Sequence, residues 1–336
     1  MRNSFLCSSC ALFLAIFGLL LLTPAAMAGD FKVGLALDKG GRDDQSFNAA
    51  AYRGSQEAEK KFGVKVKVLE GRDDNSESLL RSLAEKKFDL IIAVGVNQTE
   101  AIKKVAAQFP DRHFVLVDAE VKAPNVKSVM FEEHQGAFLV GAIAGLVSKT
   151  GKVGFVGGMD IPLIRRFLMG YEAGVKHVKK TAQVVSNFAG VTGEAWNNPA
   201  KGKELALAQY GAGADIIFAA AGATGMGVFD AAEEKKTFAI GVDSNQNGVK
   251  PGRILTSMLK RVDLAVIKVI EDAKADKFGA GLERRGLDAE GVDFAVDANN
   301  QAILPKDVIA KVNGLKADII AGKIVVPDYY KSGKSR

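Results

Sequence analysis

Hydrophobic positions along this chain alternate between two periods. Short runs dense in β-branched and aromatic residues predict strands at residues 31–37, 64–69, 90–94, 114–117 and 126–130, and apolar positions three and four apart predict helices at 48–62, 76–87 and 98–109 between them. The pattern then restarts. Helices are expected at 134–149, 164–178, 199–209 and 225–235, and strands at 153–156, 184–188, 216–221 and 238–242. Strands alternating with helices of ten or more residues make βαβ units, and therefore parallel sheets with helices on both faces.

Two successive runs of this kind imply two doubly wound lobes. The tail adds strands at 254–258 and 291–295 and helices at 262–275 and 305–321, too few to enclose a core of their own. They are expected to complete the first two lobes, so that the chain crosses between lobes near residues 131, 255 and 294. One lobe would hold 29–130 plus 256–293, and the other 131–255 plus 294–336. Three crossings make a hinge, and a hinge leaves a cleft between the lobes.

The N-terminus changes the picture of where the protein works. Arg2 precedes an uncharged apolar run from Phe5 to Leu22; Thr23-Pro24 breaks it, and Ala26-Met27-Ala28 puts small residues before Gly29. This is the layout of a secretory signal peptide over 1–28, cut after Ala28, and it predicts a periplasmic protein. Both cysteines, Cys7 and Cys10, fall inside that segment. Neither sits at the cleavage point as a lipid-attachment cysteine would, so lipidation is not expected and the mature chain carries no thiol. The formal charge of +6 is spread along the chain with acids and bases alternating. That is the pattern of solvated helix faces rather than of a basic stripe, so no nucleic-acid partner is expected. A monomer is the expected state.

In open α/β sheets ligands sit beyond the carboxyl ends of the strands, so the chemistry is sought in the loops that follow them. The first loop, Asp38-Lys39-Gly40-Gly41-Arg42-Asp43-Asp44-Gln45-Ser46-Phe47-Asn48, has a glycine pair for a tight turn and Asp44 or Ser46 as a helix cap. Phe47 reads either as a hydrophobic staple or as a stacking platform flanked by hydrogen-bonding Asp44 and Asn48. Asp118 and Asp243 end strands at matching points of the two lobes, where a carboxylate either closes a turn or accepts hydrogen bonds from sugar hydroxyls. Trp196, the sole tryptophan, lies in a polar loop before a helix, as a ligand contact or a packing residue. The glycine-rich run from Gly222 to Gly227 lacks the G-x-G-x-x-G spacing of a nucleotide loop.

Support for catalysis is thin. His113, His134 and His177 share no metal-ligand spacing, there is no G-x-S-x-G or Walker motif, and the acid pairs Asp43-Asp44 and Asp73-Asp74 read as loop or capping residues. A binding protein without metal or cofactor is expected, rather than an enzyme.

Several segments resemble a known family. Asp44-Gln45-Ser46-Phe47-Asn48 is similar to the opening signature of the basic membrane protein family of receptors, which includes the purine nucleoside receptors of bacterial ABC importers. So are Phe131-Glu132-Glu133-His134-Gln135-Gly136-Ala137-Phe138-Leu139-Val140-Gly141, Gly151-Lys152-Val153-Gly154-Phe155-Val156-Gly157-Gly158-Met159-Asp160-Ile161-Pro162, Pro199-Ala200-Lys201-Gly202-Lys203-Glu204 and Thr256-Ser257-Met258-Leu259-Lys260-Arg261-Val262-Asp263, in an order that runs from about residue 31 to 327.

The resemblance implies a type I periplasmic-binding-protein fold, with two doubly wound parallel-sheet lobes joined by a three-segment hinge. It also implies a nucleoside, of purine type, held between two aromatic rings and delivered to an ABC permease in the inner membrane, with ATP hydrolysed by a separate subunit. Phe47 matches the first ring. Trp196 stands where the family usually has phenylalanine, which leaves the base preference open. Asp44 and Asn48 would meet the base edge, Asp118, Asp243 and Lys260 the ribose hydroxyls, and Gly222 would offer a backbone contact. A receptor for a sugar or a flavin-like ring, and a chemosensory binding protein, remain alternatives. A nucleoside-cleaving enzyme would need a positioned nucleophile or a metal-binding carboxylate cluster.

Overall fold

A computed structural model describes residues 30–71 and 75–333. The expected signal peptide, both cysteines and the Asp73-Asp74 pair lie outside the described residues.

The first lobe runs β1 (Lys32–Leu37), α1 (Phe47–Phe62), β2 (Lys65–Glu70), α2 (Ser76–Glu85), β3 (Leu90–Val94), α3 (Thr99–Gln108), β4 (His113–Val117) and β5 (Val126–Phe131). The second runs α4 (Glu133–Val147), β6 (Lys152–Met159), α5 (Pro162–Val178), β7 (Gln183–Gly190), α6 (Pro199–Gly211), β8 (Ile216–Ala220), α7 (Gly225–Lys235) and β9 (Phe238–Asp243). The tail supplies β10 (Ile254–Lys260), α8 (Val262–Lys274), β11 (Gly281–Arg285), β12 (Val292–Phe294) and α9 (Lys306–Ile320). The two six-stranded sheets have equivalent orders, β11-β5-β4-β3-β1-β2 and β12-β10-β9-β8-β6-β7. Among the described pairings only β10 with β12 is antiparallel.

The strand sequences explain this architecture. β3 reads Leu-Ile-Ile-Ala-Val and β8 Ile-Ile-Phe-Ala-Ala, and every residue of both is buried. Such strands have helices on both faces, as parallel sheets require. α4 is apolar almost all round, and it is buried because α5 and α9 flank it and β10 and β12 lie beneath it. In the second lobe Phe218 anchors an aromatic cluster, with ring centroids 5.6 Å from Phe155 and 5.3 Å from Tyr171. Burying each such ring contributes about 1.5–3 kcal/mol.

The chain crosses between lobes three times, but two crossings are displaced from the expected points. β5 enters α4 at residues 131–133. The second crossing follows Lys260 rather than residue 255, because β10 pairs in parallel with β9 from Ile254 to Leu259, with one register shift, and belongs to the second sheet. The third falls between β11 and β12 rather than at 294, because β11 joins the edge of the first sheet beside β5. The crossings are tied to one another by backbone hydrogen bonds, Glu132 N–H to Arg285 O at 2.9 Å and Arg261 N–H to Gly291 O at 2.8 Å. The hinge is thus a small hydrogen-bonded ribbon.

Candidate functional site

The carboxyl ends of both sheets face the cleft. They deliver Asp38 after β1, Val96 after β3, Asp118 after β4, Gly222 after β8, Asp243 on β9 and Lys260 on β10 to a single cavity. With Phe47, Asn48, Phe167 and Trp196 these residues line about 610 Å³ of space, part of it open to solvent. All eight residues singled out in the sequence, Asp44, Phe47, Asn48, Asp118, Trp196, Gly222, Asp243 and Lys260, line it.

The β1–α1 loop is held by Asp44. Its Oδ1 accepts from the backbone N–H of Ser46 at 2.8 Å and of Ala49 at 2.9 Å. Its Oδ2 accepts from the N–H of Asn48 at 2.9 Å and from the Asn48 side-chain amide at 3.0 Å. A carboxylate has about four acceptor directions, and these bonds use them. Asp44 therefore caps the first turn of α1 from two residues before the N-cap position, Ser46, and the carboxylate that resemblance assigns to the base edge is engaged by its own loop. Burial pushes its carboxyl upward against the pull of these bonds. Asn48 Oδ1 accepts from Asp38 N–H at 2.9 Å, which fixes the strand end. Phe47, the first residue of α1, is left half-buried at the cavity wall.

On the second lobe's side of the same cavity, Trp196 ends a 3-10 turn, Gly193–Trp196. Thr224 pins that turn: its hydroxyl donates to Ala195 O at 2.8 Å and accepts from Asn198 N–H at 2.8 Å. Asn198 in turn caps α6 through Lys201 N–H at 3.0 Å. Gly222 takes a positive φ of 57° beside the Trp196 carbonyl, where a Cβ would come within 3.2 Å of that oxygen.

Asp118 and Asp243 repeat one geometry in the two lobes. Each ends its strand with positive φ, 77° and 63°, a conformation that aspartate tolerates better than most side chains. Between them lies Lys260, only 2 % exposed. Its ammonium pairs with Asp118 Oδ2 and, at 3.1 Å, with Glu133 Oε1. The rings of Phe47, Phe131 and Phe167 stand 5.0, 5.2 and 5.7 Å from it. Burial disfavours the charged lysine, but Asp118, Glu133 and Asp243 outweigh it and hold its pKa above the ordinary value. Burial also pushes Asp118 up to about 7 and Asp243 up to about 6, in both cases against the pull of Lys260. The second Asp118 oxygen, Oδ1, is buried without a hydrogen-bond partner at the cavity wall. An acceptor so placed suits a donor hydroxyl on a ligand.

The two lobes touch around the cavity. Ser46 Oγ donates to Asp243 Oδ2 at 2.6 Å, Ser244 Oγ to Ser46 O at 2.7 Å, and Gln246 Nε2 to Gln45 O at 3.0 Å. Lys39 pairs with Glu194 at 3.2 Å across the Trp196 side. The cleft is closed.

Sequence reasoning missed three parts of the site. Phe167 adds a third aromatic wall. Glu133 bridges Lys260 to Arg166, whose guanidinium it meets at 2.7 Å. Arg166 is fully buried, pairs with Asp328 Oδ1 at 2.7 Å and also meets Glu132, tying the hinge to the C-terminal tail. An arginine at a core-facing position of an otherwise apolar helix stripe, Leu163, Phe167, Gly170, Gly174, was the available signal. Glu132, His134 and Asp328 bring potential ligand atoms within 4.8 Å of one another, but the Arg166 guanidinium already pairs with both acids. Burial and Arg166 hold His134 down to about 4. The arginine supplies the cation that this cluster needs.

Comparison with known proteins bears on this closed cleft. The family model described as "ABC transporter substrate-binding protein PnrA-like" matches residues 31–329. The chain is 37 % identical to the "CD4+ T-cell-stimulating antigen" of Listeria monocytogenes over 89 % of this chain and 88 % of that one. It is 33 % identical to the "ABC transporter nucleoside-binding protein BmpA" of Lactococcus lactis, over 91 % of both. A solved ABC-transporter solute-binding protein from Aeropyrum pernix superimposes with a TM-score of 0.79 at 30 % identity, covering 88 % of this chain and 94 % of that one. The two doubly wound lobes are those of the type I periplasmic-binding fold, as the resemblance implied. Matched over nearly all of its described length, the chain belongs to the Bmp family of PnrA-like ABC transporter substrate-binding proteins.

Proposed function

We propose that the cleft binds a nucleoside, of purine type, and that closure around it presents the protein to an ABC permease in the inner membrane. The observation that carries this reading is the pairing of two aromatic walls, Phe47 and Trp196, with a buried, unpartnered carboxylate oxygen on Asp118 in one cavity. A flat base stacks on the rings, at about 1–3 kcal/mol by analogy with single-strand binders. Ribose hydroxyls donate to Asp118 and Asp243, and Lys260 holds the first of these carboxylates in place. A phosphorylated ligand would face four acids lining the cavity, Asp38, Asp44, Asp118 and Asp243, against one lysine already paired, which favours the neutral nucleoside. The Lactococcus relative, described as nucleoside-binding, supports the same assignment.

Substrate-binding proteins of ABC transporters work outside the cytoplasm. Cleavage after Ala28 would release this one as a soluble periplasmic monomer. Ligand contacts from both lobes stabilise the closed form, so binding shifts the population toward closure. Isothermal titration of Phe47→Ala and Trp196→Ala with adenosine and guanosine tests the stacking directly. Each substitution should weaken binding about tenfold or more without unfolding the protein, and unchanged affinity in both would remove the stacking reading.

A further inference from the structure

Gly157 and Gly158, the two residues before the last residue of β6, point to opposite faces of the sheet, as successive strand residues must. A Cβ on Gly157 would meet Phe188 and Ile164 within the lobe core. A Cβ on Gly158 would instead lie 2.2 Å from Cζ3, 2.4 Å from Cε3 and 3.1 Å from Cη2 of Trp196. The six-membered ring of the indole therefore rests on the bare backbone of Gly158, which is not among the residues lining the cavity while Trp196 is.

We propose that Gly158 is the seat of the Trp196 indole and, through it, a specificity-determining position that sets the width of the slot between Trp196 and Phe47. The inference rests on reading Trp196 as a stacking wall. Carbon atoms in contact sit about 3.5–4.0 Å apart, so any side chain at 158 forces the ring to move by more than about 1 Å. The backbone beneath the indole cannot retreat, because Thr224 holds the turn at Ala195 and Asn198 and the Trp196 carbonyl abuts Gly222. The free direction is into the cavity. A stacked base touches a ring on each face, so a slot narrowed by that amount admits the base only if the lobes fail to close.

Because Trp196 is the only tryptophan of the chain, its fluorescence reports the position of the ring with or without ligand. The test uses the mature protein, residues 29–336, as wild type, Gly158→Ala, Trp196→Phe and the double variant, with adenosine, guanosine and inosine as probes in isothermal titration. Gly158→Ala should shift the emission of the ligand-free protein to the red, increase its quenching by acrylamide, and lower nucleoside affinity at least about tenfold. The double variant should bind within about threefold of Trp196→Phe, because the smaller ring clears the added methyl. Unchanged emission and affinity in Gly158→Ala, or a double variant that binds no better than Gly158→Ala, overturns the proposal. If Gly158→Ala fails to unfold cooperatively, the double variant decides: recovery of folding and binding locates the fault in the indole, and no recovery refutes it. A red-shifted Gly158→Ala in a protein whose wild type binds none of the three nucleosides keeps the seat and discards the nucleoside.

Discussion

The Ser46 hydroxyl donates to the Asp243 carboxylate at 2.6 Å, joining residues 197 positions apart on opposite sides of the cleft. Ser244 returns a hydrogen bond to the Ser46 carbonyl at 2.7 Å, and Arg53 holds the Ser244 hydroxyl at 3.0 Å. These bonds form only when the lobes meet, and none requires a ligand. The same carboxylate lines the cavity, so lobe contact and ligand contact share one side chain.

Ser46→Ala removes the donor and leaves a buried carboxylate short of a partner in the closed form. Hydrogen bonds to charged groups contribute about 1.5–3 kcal/mol, so ligand should dissociate about ten- to a hundredfold faster. Stopped-flow measurement of Trp196 fluorescence during ligand displacement reads this rate. An unchanged rate would show that the bond takes no part in holding the cleft shut.

Closure should also depend on pH. In the closed form burial pushes Asp118 up to about 7 and Asp243 up to about 6. Opening returns both to water and toward the ordinary carboxyl value near 4. The closed form therefore binds protons more tightly, so protonation favours closure, and the contribution disappears as pH rises through 6 and then 7. Ligand-free protein should give a smaller radius of gyration by X-ray scattering at pH 5 than at pH 8, and Asp118→Asn should reduce the difference. Equal radii at the two pH values would contradict the coupling.

Lys260→Met keeps much of the side-chain volume and removes the charge. Asp118 and Glu133 would then share a buried site without their ammonium partner. Breaking a buried pair costs about 3–5 kcal/mol. Equilibrium urea unfolding of the ligand-free variant should show a midpoint lowered accordingly, and a midpoint within error of wild type would mean that the cluster discharges itself by protonation.

The regular part of the fold was legible because parallel strands buried on both faces are continuous apolar runs. β3 and β8 are of this kind and stand out without any partner in view. β11 was not legible. Its sequence, Gly-Leu-Glu-Arg-Arg, buries no residue at a sheet edge, and its place is set by pairing with β5 and by a 2.8 Å ion pair from Lys127 to Glu283, neither of which leaves a periodic trace. The displacement of the third crossing follows from that omission. In the cavity, Asp118 and Asp243 could be found because matching strand ends are visible in one dimension. The path from Lys260 through Glu133 to Arg166 and Asp328 joins four separate segments and exists only once the hinge is folded. Asp44 shows the limit from the other side: its place at the cavity and its capping of the helix were both legible, but that capping engages both carboxylate oxygens is seen only from the four hydrogen bonds.

The central claim, that this cleft takes a nucleoside, is tested most directly by thermal unfolding of the protein without residues 1–28, stripped of carried-over ligand, against nucleosides, free bases, D-ribose and riboflavin. A ligand at a hundred times its dissociation constant adds about 2.7 kcal/mol, a shift of several degrees for a protein of this size. The account predicts stabilisation by purine nucleosides and none by free bases or ribose alone. Stabilisation by a sugar or a flavin with no response to any nucleoside would contradict it.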